Sequence, residues 1–123
     1  MKKAILICAG VLAFAAPAAA ADIVGTWMRS NGESRIRMAP CGGAVCGSIS
    51  WLKTPGKGDA KVGQQVFFDM KPDGSGGWAG SAFNPEDGKT YAGKATVSGS
   101  NMTTKGCVLG GMICKSVSWT RVN

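Results

Sequence analysis

The sequence predicts an all-β protein whose eight antiparallel strands close into a small up-and-down barrel. Turn signals rich in Gly, Pro, Asn and Asp recur about every eight to twelve residues, a spacing typical of β-sandwiches and barrels. Glycine and proline also interrupt every segment before a helical apolar period extends beyond about two turns. The motif Gly25-Thr26-Trp27 begins the predicted sheet, and Trp119-Thr120-Arg121 ends it. These ends meet only if the sheet curls round and pairs its first strand with its last.

Residues 1–21 have the pattern of a secretory signal peptide. Lys2 and Lys3 form a positive start, Ala4–Ala16 an apolar run, and Ala19-Ala20-Ala21 a small-residue cleavage site. The apolar run is shorter than the roughly 20 residues that a membrane-spanning helix needs. We therefore expect no membrane span, and a periplasmic or secreted protein in which residues 22–123 form a single barrel domain.

The first two predicted strands form a hairpin. Strand one, Ile23–Arg29, ends at Ser30-Asn31-Gly32, a strong hairpin turn. Strand two, Ser34–Met38, alternates polar with apolar residues, as a half-buried strand requires. Pro40 is expected to end it, because proline has no N–H to donate to a β-ladder.

The next three predicted strands are separated by one long loop and one short turn. Strand three, Cys46–Leu52, is followed by Lys53–Lys61, a Lys- and Gly-rich stretch without apolar period. Strand four is Gln65–Met70, and Pro72–Gly77 forms a flexible turn into strand five, Trp78–Phe83.

The last three strands complete the sheet. The turn Asn84–Gly88 leads into strand six, Lys89–Val97, which is followed by strand seven, Met102–Cys107, and strand eight, Cys114–Val122. Eight strands joined in order enclose an interior just wide enough for side chains or for one small ligand.

The alternation of side chains along each strand predicts which residues face the interior. If Trp27 points inward, Ile23, Gly25 and Arg29 share its face, and Val117, Trp119 and Arg121 share one face of the last strand. Further residues predicted to face inward are Ile36, Met38, Ile49, Trp51, Val66, Phe68, Trp78, Tyr91, Ala95 and Val97.

Four cysteines remain after the signal peptide, and an even number in an exported chain predicts disulfides. Three pairings are open. The pairs Cys41–Cys46 and Cys107–Cys114 each flank a Gly-Gly dipeptide that lets the chain double back, which favours local pairing. Neither spacing is that of a Cys₄ metal site, so we expect no metal ion.

The two terminal motifs resemble the closed-end signature of lipocalin and calycin barrels, in which an arginine of the last strand packs across the tryptophan of the first. The chain is also similar to the bacterial exported family called domain of unknown function 2147. The stretches that carry this resemblance are Gly25-Thr26-Trp27, Cys41, Cys46–Leu52, Gly77–Gly80, Asn84–Tyr91, Gly106-Cys107 and Trp119-Thr120-Arg121.

The resemblance covers nearly all of the chain after residue 21 and implies a lipocalin-like barrel, but no particular reaction. It implies that Trp27 and Arg121 close one end of the barrel through a cation–π contact. Members of the family commonly carry a longer, acidic insertion between strands three and four. Here that segment is Lys53–Lys61, with the single acid Asp59.

The residue types present argue against catalysis. The chain has no histidine, which removes the commonest general base and metal ligand. Asp69 is the only acid in the middle of a predicted strand, and we interpret it as facing solvent. Although the net charge is +7, the basic residues are scattered, so we expect no nucleic-acid partner. We expect neither enzymatic activity nor a cofactor.

Small residues in strands five and six suggest an internal pocket. Ala79–Ala82 and Ala92–Ala95 leave volume, and the candidate pocket residues are Met38, Trp51, Phe68, Trp78 and Tyr91. A fatty acid or similar small amphipathic molecule is the expected ligand. In the alternative interpretation, Gly80 and Gly93 only permit the strong coiling of a tight barrel. A filled barrel would then serve as an envelope or secreted interaction module, with a homodimer as one form.

Overall fold

The computed structural model describes residues 22–122, and strands make up most of them. The predicted signal peptide, residues 1–21, lies outside this range. The strands are β1 Gly25–Arg29, β2 Ser34–Cys41, β3 Ala44–Leu52, β4 Gln65–Pro72, β5 Trp78–Asn84, β6 Lys89–Ser98, β7 Asn101–Val108 and β8 Ile113–Arg121. A short 3₁₀ turn, Leu109–Gly111, connects the last two strands.

The eight strands form one closed antiparallel barrel in sequence order, which confirms the predicted fold class. Closure comes from pairing of β1 with β8, which places Trp27 opposite Arg121 and Arg29 opposite Trp119. No edge is left unpaired in such a barrel, so its backbone groups offer no template for aggregation.

Because each strand is antiparallel to the next, the connections between strands lie at alternate ends of the barrel. The turns after β1, β3, β5 and β7 lie at one end, here called the open end. The turns after β2, β4 and β6 lie at the other, the closed end, together with the start of β1 and the last residue of β8. Asp22 and Ile23 precede β1 in helical conformation, so the first strand is shorter than predicted.

Pro40 does not end β2, contrary to the prediction. The strand continues to Cys41, and Pro40 pairs with Val45 of β3. A tight turn at Gly42 and Gly43, whose φ angles are 58° and 83°, keeps the two strands together. Pairing therefore persists beyond the residue that cannot donate a hydrogen bond, because glycine readily adopts the positive φ of the turn.

The closed half of the barrel is filled by apolar side chains. Trp27, Met38 and Met70 have no exposed surface, and the Trp27 indole N–H donates to the Ile23 carbonyl at 3.0 Å. Met38 takes up the space beside Gly47, where an added Cβ would lie 2.5 Å from its Sδ. Burial of a large apolar side chain contributes about 1.5–3 kcal/mol, so this half supplies much of the stability.

A β-bulge in β3 reverses the predicted orientation of Trp51. Ile36 is opposite Ile49 and Arg35 is opposite Trp51, so Ser50 is an extra residue in the ladder. The indole therefore lies on the outer face, 36% exposed, with the Arg35 guanidinium 5.0 Å from its centroid. The expectation that Trp51 faces the interior is wrong, because a bulge shifts the side-chain alternation by one residue.

A second bulge has the same effect on Phe68. Gly47 is opposite Phe67 whereas Ser48 is opposite Gln65, which leaves Val66 as the extra residue of β4. Val66 and Phe67 are consequently both buried, while Phe68 is only half-buried and pairs with Ser81. The predicted inward position of Phe68 is therefore taken by Phe67.

Candidate functional site

A cavity of about 810 Å³ opens at the open end of the barrel and is here called the main cavity. Its volume lies within the range of about 300–1,000 Å³ found for small-molecule sites. The apolar part of its wall includes Ile36, Ile49, Val66, Phe67, Val117 and Trp119. The barrel is therefore packed in one half and open in the other.

Two basic side chains belong to the inner face near this cavity. Arg29 is directly opposite the buried Trp119, so both residues face the interior. Lys115 precedes the inward-facing Val117 by two positions and therefore shares its face. Both line the main cavity. Glu33, Asp59, Glu86 and Asp87 also line the cavity, but they lie in the connections at its rim, whereas Arg29 and Lys115 are on strands with their side chains on the inner face.

Thr104 is a buried polar residue of the cavity wall. Its Oγ1 accepts a hydrogen bond of 2.9 Å from the Trp119 indole N–H. A buried indole N–H without a partner would cost about 1–3 kcal/mol, so this bond fixes the ring where it faces the cavity. The hydroxyl also keeps a lone pair and its own hydrogen for a ligand.

Tyr91 lines the main cavity and donates its hydroxyl hydrogen to Asp87 Oδ2. This bond holds the pKa of the Asp87 carboxyl below its ordinary value, with a further contribution from the Lys89 N–H. The same contact raises the pKa of the Tyr91 hydroxyl, because the neutral phenol is the donor. The phenol ring is thereby tied to the turn that follows β5.

Replacing Tyr91 with phenylalanine is expected to raise the pKa of Asp87 towards its ordinary value of 3.8. A carboxylate with a depressed pKa contributes stability above its unfolded pKa, and this contribution is lost as pH falls through the folded value. Loss of the Tyr91 hydrogen bond therefore removes stability at neutral pH. Carboxyl ¹³C chemical shifts measured during an acid titration report the Asp87 pKa.

Asp73 provides the control for this titration. Hydrogen bonds from Ser75 lower the pKa of Asp73, and that turn lies at the closed end, away from Tyr91. The Asp73 pKa should be identical in the wild type and in Tyr91→Phe. An unchanged Asp87 pKa in the variant would contradict the assigned cause.

The loop 53–64 contributes to the rim of the main cavity. Both of its ends are fixed by backbone hydrogen bonds. The Lys53 N–H donates to the Glu33 carbonyl at 2.9 Å, and the Gly63 N–H donates to the Ile49 carbonyl at 2.8 Å. The long connection predicted from the sequence is therefore held next to the entrance.

The five candidate pocket residues are dispersed rather than grouped. Tyr91 lines the main cavity. Trp78 lies at the closed end, beside a separate depression of about 320 Å³, and Met38 is packed in the closed half. Trp51 and Phe68 lie on the outer face because of the two bulges.

Several cavity residues were not recognised as ligand candidates in the sequence. Arg29 is expected on the inner face from its spacing to Trp27, but the spacing carries no sign of a cavity. Phe67, Thr104 and Lys115 complete this group. The only signal in the sequence is that Arg29 and Lys115 lie at inward-facing positions of β1 and β8, the two strands that pair when the barrel closes.

The closed end contains the contact expected between the terminal motifs. The Arg121 guanidinium carbon lies 4.3 Å from the centroid of the Trp27 ring. Its Nη1 donates to the Val24 carbonyl at 2.9 Å, and its Nη2 donates to the Asp22 carbonyl. One side chain thus joins the last strand to the segment that precedes the first.

The cysteines are paired locally, as Cys41–Cys46 and Cys107–Cys114. The first disulfide spans the turn between β2 and β3 at the closed end. The second joins the facing residues of the β7–β8 hairpin at the open end. Each therefore fixes one hairpin connection and leaves the barrel closure to strand pairing.

Within residues 22–122, no group of three or more His, Cys, Asp or Glu side chains is arranged to hold a metal ion. In the same range, no helix has the length and apolar character needed to cross a membrane.

A closed eight-stranded antiparallel barrel with this Arg–Trp contact defines a lipocalin-like protein. The chain belongs to the bacterial family described as "Uncharacterized protein conserved in bacteria" (DUF2147), whose model matches residues 25–121. Its fold is similar to that of protein HP1028 from Helicobacter pylori, described as belonging to the lipocalin family. The TM-score is 0.66 at 16% identity, over 82% of this chain and 83% of that one. No curated protein matches the sequence.

Proposed function

We propose that this protein is an exported binding protein, without enzymatic activity, that takes one small amphipathic molecule into the main cavity. The favoured ligand has an apolar tail, as in a fatty acid, and an anionic head. The single observation that carries the proposal is the main cavity itself, about 810 Å³ in volume, with apolar walls and basic residues on its inner face. The lipocalin-like fold is compatible with such binding.

The apolar wall accounts for binding of the tail. Contact with Phe67, Val117 and Trp119 removes a hydrocarbon chain from water, at about 0.8 kcal/mol per buried methylene. Arg29 and Lys115 account for the preference for a negative head, because charge-assisted hydrogen bonds are stronger than neutral ones. The loop 53–64 lies beside the entrance and would control access.

Export also belongs to the proposal. Two disulfides fit an oxidising compartment such as the periplasm. The sequence pattern of residues 1–21 supports the same location.

Ala82→Trp is expected to weaken binding of a fluorescent fatty acid by at least about tenfold, because the indole fills the cavity. Ala82 faces the interior opposite Phe67 and Tyr91 and lines the main cavity. Binding is measured by titrating the folded protein into cis-parinaric acid. Val117→Phe is a second filling variant, should the first fold poorly.

The matched control is Ala92→Trp, because Ala92 is exposed on the outer face of β6. This variant should bind the probe as the wild type does. Equal affinities for the Ala82 and Ala92 variants, both correctly folded, would contradict binding in the main cavity. No binding of the probe to the wild type would count against a fatty-acid-like ligand.

Charge recognition is tested with Arg29→Gln. This variant should weaken binding of the free acid by about tenfold, because the head loses a charged partner. The methyl ester of the same probe has no charge, so its affinity should be the same for Arg29→Gln and the wild type. Equal losses for acid and ester would argue that Arg29 only shapes the cavity.

The alternative of a filled barrel is less consistent with the open half of the structure. It requires side chains to occupy the volume next to Phe67 and Trp119, where the main cavity lies. A homodimer formed by the outer face is tested by light scattering over a range of protein concentrations.

A further inference from the structure

The β7–β8 hairpin carries an exposed apolar tip, defined here as Val108–Ile113. Leu109 and Met112 are 68% and 85% exposed, and Val108 and Ile113 are exposed as well. Soluble proteins rarely present large apolar side chains in one contiguous group unless that group meets a partner or a membrane. The apolar tip is therefore a candidate interaction surface.

Covalent and hydrogen bonds hold the apolar tip in its shape. The Cys107–Cys114 disulfide joins the two strands at the base of the tip. The Met112 N–H donates to the Leu109 carbonyl at 3.3 Å, and Cys114 Sγ contacts the Gly111 carbonyl. Leu109 has a φ of 54°, a left-handed conformation that is unusual for a residue other than glycine. The exposed side chains are thus presented by a constrained loop.

The strands that carry and flank the apolar tip have only basic charged residues, whereas the acidic residues of the open end, Glu33, Asp59, Glu86 and Asp87, lie in the other connections. No Asp or Glu follows Asp87 in the sequence, whereas five basic residues do. Lys94 and Lys105 are exposed and directly opposite each other on β6 and β7, next to the disulfide at the base of the tip. Strands β6–β8 therefore combine an apolar projection with a flank that carries only positive charge.

We propose that the apolar tip inserts into the interface of an anionic lipid membrane, with Lys94 and Lys105 against the phosphate headgroups. An exposed apolar loop beside basic side chains is the combination that binds peripheral proteins to such surfaces. A protein partner would need its own apolar pocket rimmed by acids, whereas an anionic bilayer offers both features over its whole surface.

The position of the apolar tip gives this docking a consequence for the main cavity. Val108 and Ile113 face each other across the hairpin and line the cavity entrance. Apolar residues therefore occur both inside the barrel, at Val117, and outside its entrance, at Leu109 and Met112. Docking through the tip places the open end against the bilayer. This membrane docking goes beyond the proposed ligand binding and does not require a ligand in the main cavity.

Vesicle sedimentation with the folded, disulfide-bonded protein tests the proposal. The protein should sediment with vesicles of equimolar phosphatidylglycerol and phosphatidylcholine, and much less with phosphatidylcholine alone. The double variant L109S/M112S should bind the anionic vesicles at least about tenfold more weakly. Val122→Ser is the matched control, since Val122 is 45% exposed at the closed end, and should bind as the wild type does.

A second pair of variants tests the basic flank. K94Q/K105Q should lower binding to the anionic vesicles and reduce its dependence on salt, because fewer charges face the headgroups. Lys71→Gln, near the closed end of β4, should leave both unchanged.

Absence of binding to anionic vesicles would overturn the proposal, as would equal binding by L109S/M112S and the wild type. A dimer that L109S/M112S dissociates, without vesicle binding, would also overturn it and assign the apolar tip to a second copy of the chain. These outcomes are independent of the fatty-acid titration, so failure of either proposal is recognised separately.

Discussion

Arg121→Ala is expected to lower the free energy of unfolding by about 3 kcal/mol, because two charge-assisted hydrogen bonds and a cation–π contact disappear together. The Arg121 guanidinium covers the Trp27 ring at 4.3 Å and donates to the carbonyls of Val24 and Asp22. Its removal exposes the indole and leaves both carbonyls without this donor. For a domain of this size the melting temperature should fall by about 10–20 °C.

Chemical denaturation measures this change, with Arg37→Ala as the control. Arg37 is exposed and makes one side-chain hydrogen bond, of 3.3 Å, to Thr26 Oγ1, so its loss should cost less than about 0.5 kcal/mol. Arg121→Lys should be intermediate, since lysine keeps the charge but not the planar fork. Equal stability of the Arg121 and Arg37 variants would show that the Arg121 contacts contribute little.

The Arg121 variant should bind the fatty-acid probe with wild-type affinity. Arg121 lies at the closed end, whereas the main cavity opens at the other end. Stability and ligand binding are therefore expected to change independently, because the Arg121 contacts and the main cavity lie at opposite ends of the barrel.

Gly80→Ala is expected to destabilise the protein by about 3 kcal/mol, because the added methyl group has no space. A Cβ on Gly80 would lie 2.4 Å from the Phe68 carbonyl oxygen and 2.6 Å from the Asp69 carbonyl oxygen. Both are backbone atoms of an irregular segment of β4, in which Asp69 has a φ of 50°. The strands would have to separate at this point to admit the methyl group.

Gly58→Ala is the matched control for this substitution. No atom lies within 4 Å of the position of a Cβ on Gly58, so alanine should leave stability unchanged or raise it slightly. Thermal melts of the two variants provide the comparison. If Gly80→Ala melts at the same temperature as Gly58→Ala, the close approach of β4 and β5 does not exist in solution.

The position of Gly80 also bears on the small residues of β5 and β6. A Cβ on Gly93 would lie 2.9 Å from the Ser81 carbonyl carbon, so both glycines are required by close backbone contacts. This favours the packing interpretation of Gly80 and Gly93. The volume of the main cavity arises elsewhere, around Ala82, Val117 and Thr104.

The barrel could be predicted because its determinants are local and repetitive. Turn residues separate the strands, and the terminal tryptophan and arginine motifs indicate which strands close the sheet. The orientation of individual side chains was less predictable. Alternation places Ile49 and Trp51 on one face, but Ser50 forms a bulge between them, and nothing in the tripeptide Ile49-Ser50-Trp51 indicates it. A single extra residue moves every later side chain to the other face until a second irregularity restores it.

The sequence indicates an internal pocket, but it does not indicate correctly which residues line that pocket. Tyr91 belongs to it, whereas Phe68 does not, because the bulge at Val66 brings Phe67 inward. The position of the cavity along the barrel axis depends on which end is filled by large side chains. Met38, Met70 and Trp27 fill the closed half through contacts between strands that are distant in sequence.

Native mass spectrometry of protein purified without denaturation tests most directly whether the barrel is a container. The proposed function predicts the mass of the chain plus one small amphipathic molecule, retained by Ala92→Trp and lost from Ala82→Trp. A mass equal to that of the chain alone, together with no uptake of an added fatty acid, would contradict it.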